Sequence, residues 1–517
     1  MVRSLPLILA LCALAAAAHA APDEPRRPAR VLLITSAELA PAWSDFARWK
    51  TRQGKRTEIL STEAIAARYP GADLQAKIRA CVLEHVDRRG TRWVILGGDS
   101  RPGGAGVVPD RDTKHRLHGG RLSYDDIPTD LYYVTRASWD ENGDGVFGEW
   151  SQDRAAMDYA PVAALGRVPL RSAAEVAAYT AKVIAYESRF PGGEAARTLL
   201  YTCAVPQANY KSDLLWERNL EPAWAGGRIQ RFFVDRSPWD RERAGDFDLS
   251  PRNWIARLNA QAASKVHMHG HGHLPGWVLE RHARADARAV ASLRNRGLPL
   301  VMTTVSCFTG HFDSAQDPAI CESMLRHAEG GAVAIVAPAR EGVPVFHGRG
   351  FDPRDGQTQD GTTRLLTRFW VHGLERGLTS GEALAAAKAE LAKDAARNPG
   401  YHWVLCELNL LGDPTLDLRA RPVTPLRLQA PSRLAPGAQR VVVETDRAGL
   451  SVCLWQGEQV YALATTDERG RASLEVSPRA GQLSLSVSGP SLNTETRVIR
   501  VGAGAAPRPP RWFAPRR

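Results

Sequence analysis

The chain sets short unbroken apolar runs between longer stretches of mixed spacing. Arg30-Val-Leu-Leu-Ile-Thr35 and Arg92-Trp-Val-Ile-Leu-Gly97 read as strands buried on both faces. Between them, 41–51 and 76–86 carry apolar residues at helical spacing, and Pro41 suits a first helical turn, where its missing amide hydrogen costs nothing. A polar, glycine-rich stretch from 98 to about 150 interrupts the pattern, which resumes at Val162-Ala-Ala-Leu-Gly166. Ser172 with Glu175 predicts a capping box opening a helix to about 186. Further strand-like runs follow at 198–202, 231–234, 265–269, 298–306 and 331–336, with a helix-like segment at 286–296. Thr379 with Glu382 caps another helix to about 396, and Asn409-Leu-Leu-Gly-Asp-Pro414 closes this part of the chain. Alternating strands and helices predict mostly parallel sheets, whose ligands gather where strands end in loops.

From 423 the texture changes. The runs at 439–444, 450–455, 472–476 and 483–487 are short, alternate apolar with polar, and are separated by Gly, Pro or Asp. That pattern predicts a β-sandwich of about 80 residues. The tail from 502 is rich in Pro and Arg, a composition expected to remain disordered.

The first twenty residues set a compartment. Arg3 precedes an apolar run, and Ala18-His-Ala20 ends it in the manner of a cleaved secretory signal. That run is too short and Ala-rich for a membrane span, and no later segment approaches the roughly 20 apolar residues that spanning needs, so no stable membrane insertion is expected. The expected organisation is a signal peptide at 1–20, an N-terminal α/β subdomain at 21–190, a second at 191–420, the sandwich at 421–501 and the tail at 502–517.

Composition changes this picture little. At 517 residues, 44% hydrophobic and 24% charged, the chain is ordinary globular material. The formal charge of +11 comes from Arg residues scattered among acids, a solvated basic surface that favours acidic partners without marking a nucleic-acid site. Of seven cysteines, Cys12 lies in the signal; the other six are widely spaced and contain no C-x-x-C pair, so neither a disulfide framework nor a set of buried thiols is singled out.

The strongest chemical signal is His269-Gly-His-Gly272 together with Val305-Ser-Cys-Phe-Thr-Gly310, each ending an apolar strand. Neighbouring parallel strands bring such ends together, and a thiol beside an imidazole is a nucleophile with its base. Cys307 is the candidate nucleophile and His271 its partner. The backbone N–H groups of Gly272 and Cys307 are candidates for stabilising an oxyanion, glycine leaving room for close backbone approach.

Gly270-His-Gly272, the run Ser306-Cys-Phe-Thr-Gly-His-Phe-Asp313, Glu322, and Gly330-Gly-Ala-Val-Ala334 resemble the catalytic half of the gingipain family of cysteine peptidases. Asn409-Leu-Leu-Gly-Asp-Pro-Thr415, Thr129-Asp-Leu-Tyr-Tyr133 and Gly166-Arg-Val-Pro169 extend the resemblance over about 30 to 490. The resemblance implies a caspase-like α/β fold in two subdomains followed by an immunoglobulin-like β-sandwich. It also implies a Cys-His dyad and hydrolysis of peptide bonds in protein or peptide substrates through a thioester acyl-enzyme. The family's histidine falls on His271 and its cysteine on Cys307. The group that orients the imidazole falls near Lys211-Ser-Asp213, with Asp213 the candidate, and the family's Arg or Lys preference does not transfer.

Two further readings concern metals. His267, His269, His271 and His273 alternate along one strand and so could share a face, but alternate side chains stand about 6.6 Å apart and cannot converge on one tetrahedral ion. Asp140-Glu-Asn-Gly-Asp-Gly-Val-Phe-Gly-Glu149 resembles the opening of a calcium loop, with oxygen donors at Asp140, Asn142 and Asp144, a glycine turn, and the Val146 carbonyl. The twelfth position is Ser151, so Glu149 or Asp153 must close it, with Asp126 or Asp130 nearby. No G-x-S-x-G, H-E-x-x-H or phosphate-loop motif is present, and nothing calls for an organic cofactor. The reading is an exported cysteine endopeptidase; its rival is a secreted or surface binding protein that keeps the fold without activity.

Overall fold

The computed structural model describes residues 30–101, 107–117, 122–204, 219–224, 226–233, 246–279, 283–316, 318–342 and 360–502. The expected signal segment at 1–20, Asp213 and the tail beyond 502 lie outside them.

Eleven strands form one sheet. In chain order they are β1 Val31–Thr35, β2 Thr57–Ser61, β3 Trp93–Leu96, β4 Ala164–Arg167, β5 Thr198–Cys203, β6 Arg228–Phe233, β7 Phe247–Asp248, β8 Lys265–His269, β9 Leu300–Thr304, β10 Ala332–Pro338 and β11 Leu408–Gly412. Their spatial order is β2-β1-β3-β4-β11-β10-β9-β8-β5-β6-β7. Each half is parallel, and the halves meet where β10 runs antiparallel to β11. The sheet is therefore two half-sheets of opposite direction, and β11, late in the sequence, joins the half built from the N-terminal strands. At this seam Gly412 has φ +131°, and a side chain there would stand 2.3 Å from the Val333 carbonyl. Only glycine permits that approach.

Continuous apolar strands follow from burial on both faces: every residue of β1, β3, β5, β8, β9, β10 and β11 is buried. The helix at 41–51 becomes a 3₁₀ turn, Ala40–Trp43, running into an α-helix, Ser44–Arg52, and the one at 76–86 widens to Leu74–Arg89. Ser172 accepts from Glu175 N at 3.2 Å, but the Glu175 carboxylate turns to Arg171 N at 2.7 Å, so the expected reciprocal cap is displaced by one residue. The helix expected at 286–296 is short, Ala287–Ala291. Beyond its cap at Ser292 the chain turns at Asn295, whose buried amide donates to the carbonyls of Leu298 and Gly331 and accepts from Gly331 N.

The C-terminal strands form a three-stranded and a five-stranded sheet. They enclose a core that includes Val441, Val443, Val452, Leu454, Leu474, Leu485 and Ile499, as the alternating pattern requires.

Candidate active site

β8 and β9 are parallel neighbours, with Met268 opposite Thr304, so both chains leave the sheet on one edge. After β8 the backbone enters a small hairpin, Gly272–His273 pairing with Gly276–Val278. His271 is held at its mouth, its carbonyl accepting from Val278 N at 3.0 Å. After β9, Thr304 Oγ1 accepts from Ser306 N at 3.1 Å, and the Ser306 carbonyl accepts from Thr309 Oγ1 at 2.8 Å. Phe308 sits in the left-handed region, φ +58°, with its N–H on the Arg340 carbonyl at 2.8 Å. A non-glycine residue in that region costs of order 1–3 kcal/mol and persists only where its surroundings hold it. The turn thus presents Cys307 under constraint.

Gly272 is required here. A side chain on it would come within 2.7 Å of the Cys307 carbonyl, Ser306 Cβ and Thr309 Cγ2. The sequence suggested close approach to a substrate; the structure shows close approach to the loop that carries Cys307.

His271, Gly272, His273, Val278, Arg284, Cys307, Phe308 and Glu341 line one open cleft of about 520 Å³. His271 is exposed and Cys307 half-buried. Burial, first, pushes the Cys307 thiol up to about 11; the Glu407 and Glu341 carboxyls push the same way, and the Gly342 N–H opposes them. Glu407 is itself fully buried, and burial raises its own carboxyl well above the carboxylate range. Desolvation is the largest influence on the thiol. The thiol is protonated in the free chain.

Glu341 and Glu407 were not legible as site residues. Glu341 follows β10, the strand beside β9, and accepts from Tyr124 OH at 2.6 Å through its carboxylate and from Trp403 Nε1 at 3.0 Å through its carbonyl. Charged residues just past the end of a neighbouring strand are the signal that would have found it.

Residues 24–419 match peptidase family C25. The chain belongs to peptidase family C25. It is 20% identical over 500 residues to gingipain R1 of Porphyromonas gingivalis, covering 94% of this chain and 44% of that protein. To gingipain R2 of the same organism it is 21% identical over 495 residues, covering 93% and 58%. The chain thus spans about half the length of these curated relatives. Among solved structures, the Arg-specific cysteine proteinase gingipain R superposes with a TM-score of 0.68 at 19% identity, covering 93% of this chain and 99% of that one. A complex of the RgpB pro- and mature domains gives 0.66 at 19% identity, covering 92% and 100%. The caspase-like gingipain fold is therefore the fold of this C25 chain.

Several motifs behind the resemblance meet each other rather than the cleft. The buried guanidinium of Arg167 takes both carboxylate oxygens of Asp130, at 2.6 and 2.8 Å, and Asn409 Oδ1 accepts from Asp130 N at 3.1 Å. Glu322 accepts from Arg101 at 3.1 Å and Arg326 at 2.8 Å, while Arg340 holds Asp313 in a two-point contact. These pairs brace the loops around Cys307.

In the acidic loop, Asp140 accepts from the N–H groups of Gly143, Asp144 and Gly145, and Asp144 from Val146 N. Gly143, Gly145 and Gly148 all have positive φ. Asp153, buried, accepts from Glu141 N and Glu149 N at 2.9 Å and ties the loop ends together. Glu149 faces Lys114 and Gln152. Asp130 is committed to Arg167 and Asp126 to Arg340, so neither joins this loop. A larger groove, about 1690 Å³, lies between β2 and the sandwich, and neither Cys307 nor His271 lines it.

Proposed function

We propose that this C25 chain is an exported cysteine endopeptidase in which His271 assists Cys307. The observation that carries this is the shared cleft at the carboxyl ends of β8 and β9, lined by both residues. Because burial holds the free thiol protonated, His271 acts as a general base during attack rather than as one half of a standing ion pair. Cys307 Sγ bonds to the peptide carbonyl carbon, His271 takes the thiol proton, and the oxyanion is met by the N–H groups of Gly272 and Cys307. His271 then protonates the leaving amine as the C–N bond breaks; water, giving a proton to His271, attacks the thioester carbonyl, and the C–S bond breaks to yield the free acid and the reprotonated Cys307 thiol.

A structure similar to this one is titled as Arg-specific. Here the acidic Glu341 lines the cleft, supporting a preference for a basic residue at the cleavage site. The segment at 1–20 supports export. Among the described residues no helix is long and apolar enough to cross a membrane. The loop at 140–153 supports binding of calcium: its donors are all oxygen, from Asp140, Asn142, Asp144, the Val146 carbonyl and a closing carboxylate of Glu149 or Asp153, a set suited to a hard cation. Bound there, the ion would fix the loop without touching the dyad.

Cleavage of a mixed peptide library by the mature protein, with calcium present, tests the reading. Products from the unmutated chain and none from Cys307→Ala or His271→Ala are expected, with cuts after Arg or Lys that Glu341→Gln reduces. Equal cleavage by Cys307→Ala overturns the assignment of the nucleophile, and no cleavage by the unmutated chain after attempted activation overturns the reading in favour of a binding role. For the loop, millimolar calcium is expected to raise the melting temperature of the unmutated chain but not of Asp140→Ala/Asp144→Ala; magnesium serves as control.

A further inference from the structure

The groove of about 1690 Å³ between β2 and the sandwich takes no part in the proposed chemistry, and two features of its walls point to one kind of occupant. The first is an open strand edge. β2 is the outermost strand of the eleven-stranded sheet and pairs only with β1. Val31 N donates to the Arg56 carbonyl at 3.0 Å. In a parallel ladder that bond turns the backbone groups of Arg56, Glu58 and Leu60 toward β1 and those of Thr57, Ile59 and Ser61 outward. The Thr51 hydroxyl accepts from Thr57 N at 3.1 Å. No hydrogen bond from another described residue reaches the backbone of Ile59, and the groove runs beside it at Arg56, Thr57 and Glu58. An edge left with an outward donor and acceptor is a template for one more extended chain.

The second feature is charge. Trp455 and Tyr461 stand opposite each other on the paired strands Ser451–Gln456 and Val460–Thr465, so their rings share one face. The Arg52 guanidinium lies over the Trp455 ring at 4.6 Å, and that of Arg56 over Tyr461 at 5.7 Å. Three of the arginines at the groove are answered: Arg89 by Glu58, Arg68 by Glu84 at 3.6 Å and Arg56 by Glu458 at 3.6 Å. Arg52 and Arg479 have no carboxylate within ion-pairing distance among the described residues, and the buried Nε–H of Arg52 has no acceptor. A guanidinium laid on an aromatic face with an unanswered N–H is half of a carboxylate site.

Edge and charge select together. A sulfated sugar would satisfy the arginines and leave the edge of β2 open, and an apolar peptide would do the reverse. We propose that the groove docks an extended acidic segment of a protein partner, which adds as a strand along β2 and lays its carboxylates on Arg52 and Arg479. Alternate side chains of such a strand share one face, so carboxylates at every second position meet the arginines while the backbone meets β2. This docking is independent of peptidase activity, since neither Cys307 nor His271 lines the groove.

The test uses the mature chain carrying Cys307→Ala, which leaves a peptide probe uncut. By fluorescence anisotropy, a labelled peptide of alternating Glu and Thr, about ten residues long, should bind about tenfold more tightly than its Gln–Thr counterpart and should be released in about 0.5 M salt. Arg479→Glu, at an exposed position, should weaken binding by about tenfold or more, whereas Arg440→Glu, exposed on the sandwich outside the groove, should not. Hydrogen exchange at 57–61, read by mass spectrometry, should slow when the peptide is bound, a readout that charge attraction alone does not move and that needs no further variant. Equal binding of the Gln–Thr peptide, unchanged binding in Arg479→Glu, or no protection at 57–61 overturns the proposal, and so does a heparin fragment that binds where the Glu–Thr peptide does not.

Discussion

The proposed chemistry turns on Cys307, and its surroundings make a specific demand. Desolvation favours the neutral thiol, so its proton is lost only toward about pH 11 in the free chain. A raised thiol pKa contributes stability that is present below the unfolded thiol's pKa, about 8.5, and is lost as pH rises toward the folded value. The same sign governs reactivity, because the thiolate is the nucleophile. Alkylation of the free protein by iodoacetamide at Cys307, followed by mass spectrometry, should therefore climb about tenfold per pH unit above neutrality and level off only near the thiol pKa. A rate already flat between pH 6 and 9 would show a thiolate–imidazolium pair formed before substrate arrives, and would assign His271 a different role. Cys307 and His271, the proposed pair, were legible as candidates because each follows an apolar strand. Asp213 lies outside the described residues and keeps the standing of a candidate.

Elements were legible where burial is two-sided and apolar, and illegible where position in the fold changes what the pattern means. β1 and β3 announce themselves as unbroken aliphatic runs. β2, by contrast, is an edge strand, half-exposed along its whole length, and its polar Thr57, Glu58 and Ser61 look like loop. The strand Arg111–Leu117 does alternate in burial, but its inward residues are Arg111, Thr113, His115 and Leu117, so a search for apolar alternation passes over it. Helix Pro399–Glu407 is buried on almost every face and lacks the polar stripe that marks a surface helix.

The bracing between elements carries its own expectation. Arg167 at the end of β4 and Asp130 are both buried and satisfy each other, with the Gly98 and Val108 carbonyls also accepting from Arg167. Arg167→Met leaves a buried carboxylate without its partner, an error worth about 3–5 kcal/mol, whereas a well-packed apolar replacement of both members is often nearly neutral. Urea unfolding should show that loss in Arg167→Met and a substantial recovery in Arg167→Met/Asp130→Leu. A single variant as stable as the parent would remove the pair from the account of how these loops are held.

At the scale of the whole molecule, the question is whether the β-sandwich is an appendage or part of the same cooperative unit. Its loop at 491–494 clasps the end of helix Ala173–Ser188: Thr494 N donates to the Glu187 carbonyl at 2.8 Å, and Asn493 exchanges hydrogen bonds with the Phe190 backbone at 3.0 Å in both directions. The buried guanidinium of Arg419, on the segment leading into the sandwich, donates to the carbonyls of Leu492, Tyr186 and Glu187 and lies over the rings of Tyr186 and Phe190. Glu187 in turn accepts from Lys50, whose ammonium also meets Asp413 at 2.6 Å beside the sheet seam. Separating the sandwich would break the hydrogen bonds of Arg419 to Leu492, of Thr494 to Glu187 and of Asn493 to Phe190, each worth about 0.5–1.5 kcal/mol net. That is a substantial share of the 5–15 kcal/mol that holds a domain folded. Calorimetry of the full chain should accordingly show one transition, and Arg419→Met should split it by letting the sandwich melt first. Two resolved transitions in the unmutated protein would mean the clasp is too weak to couple the units, and the sandwich would then be a tethered module with a stability of its own.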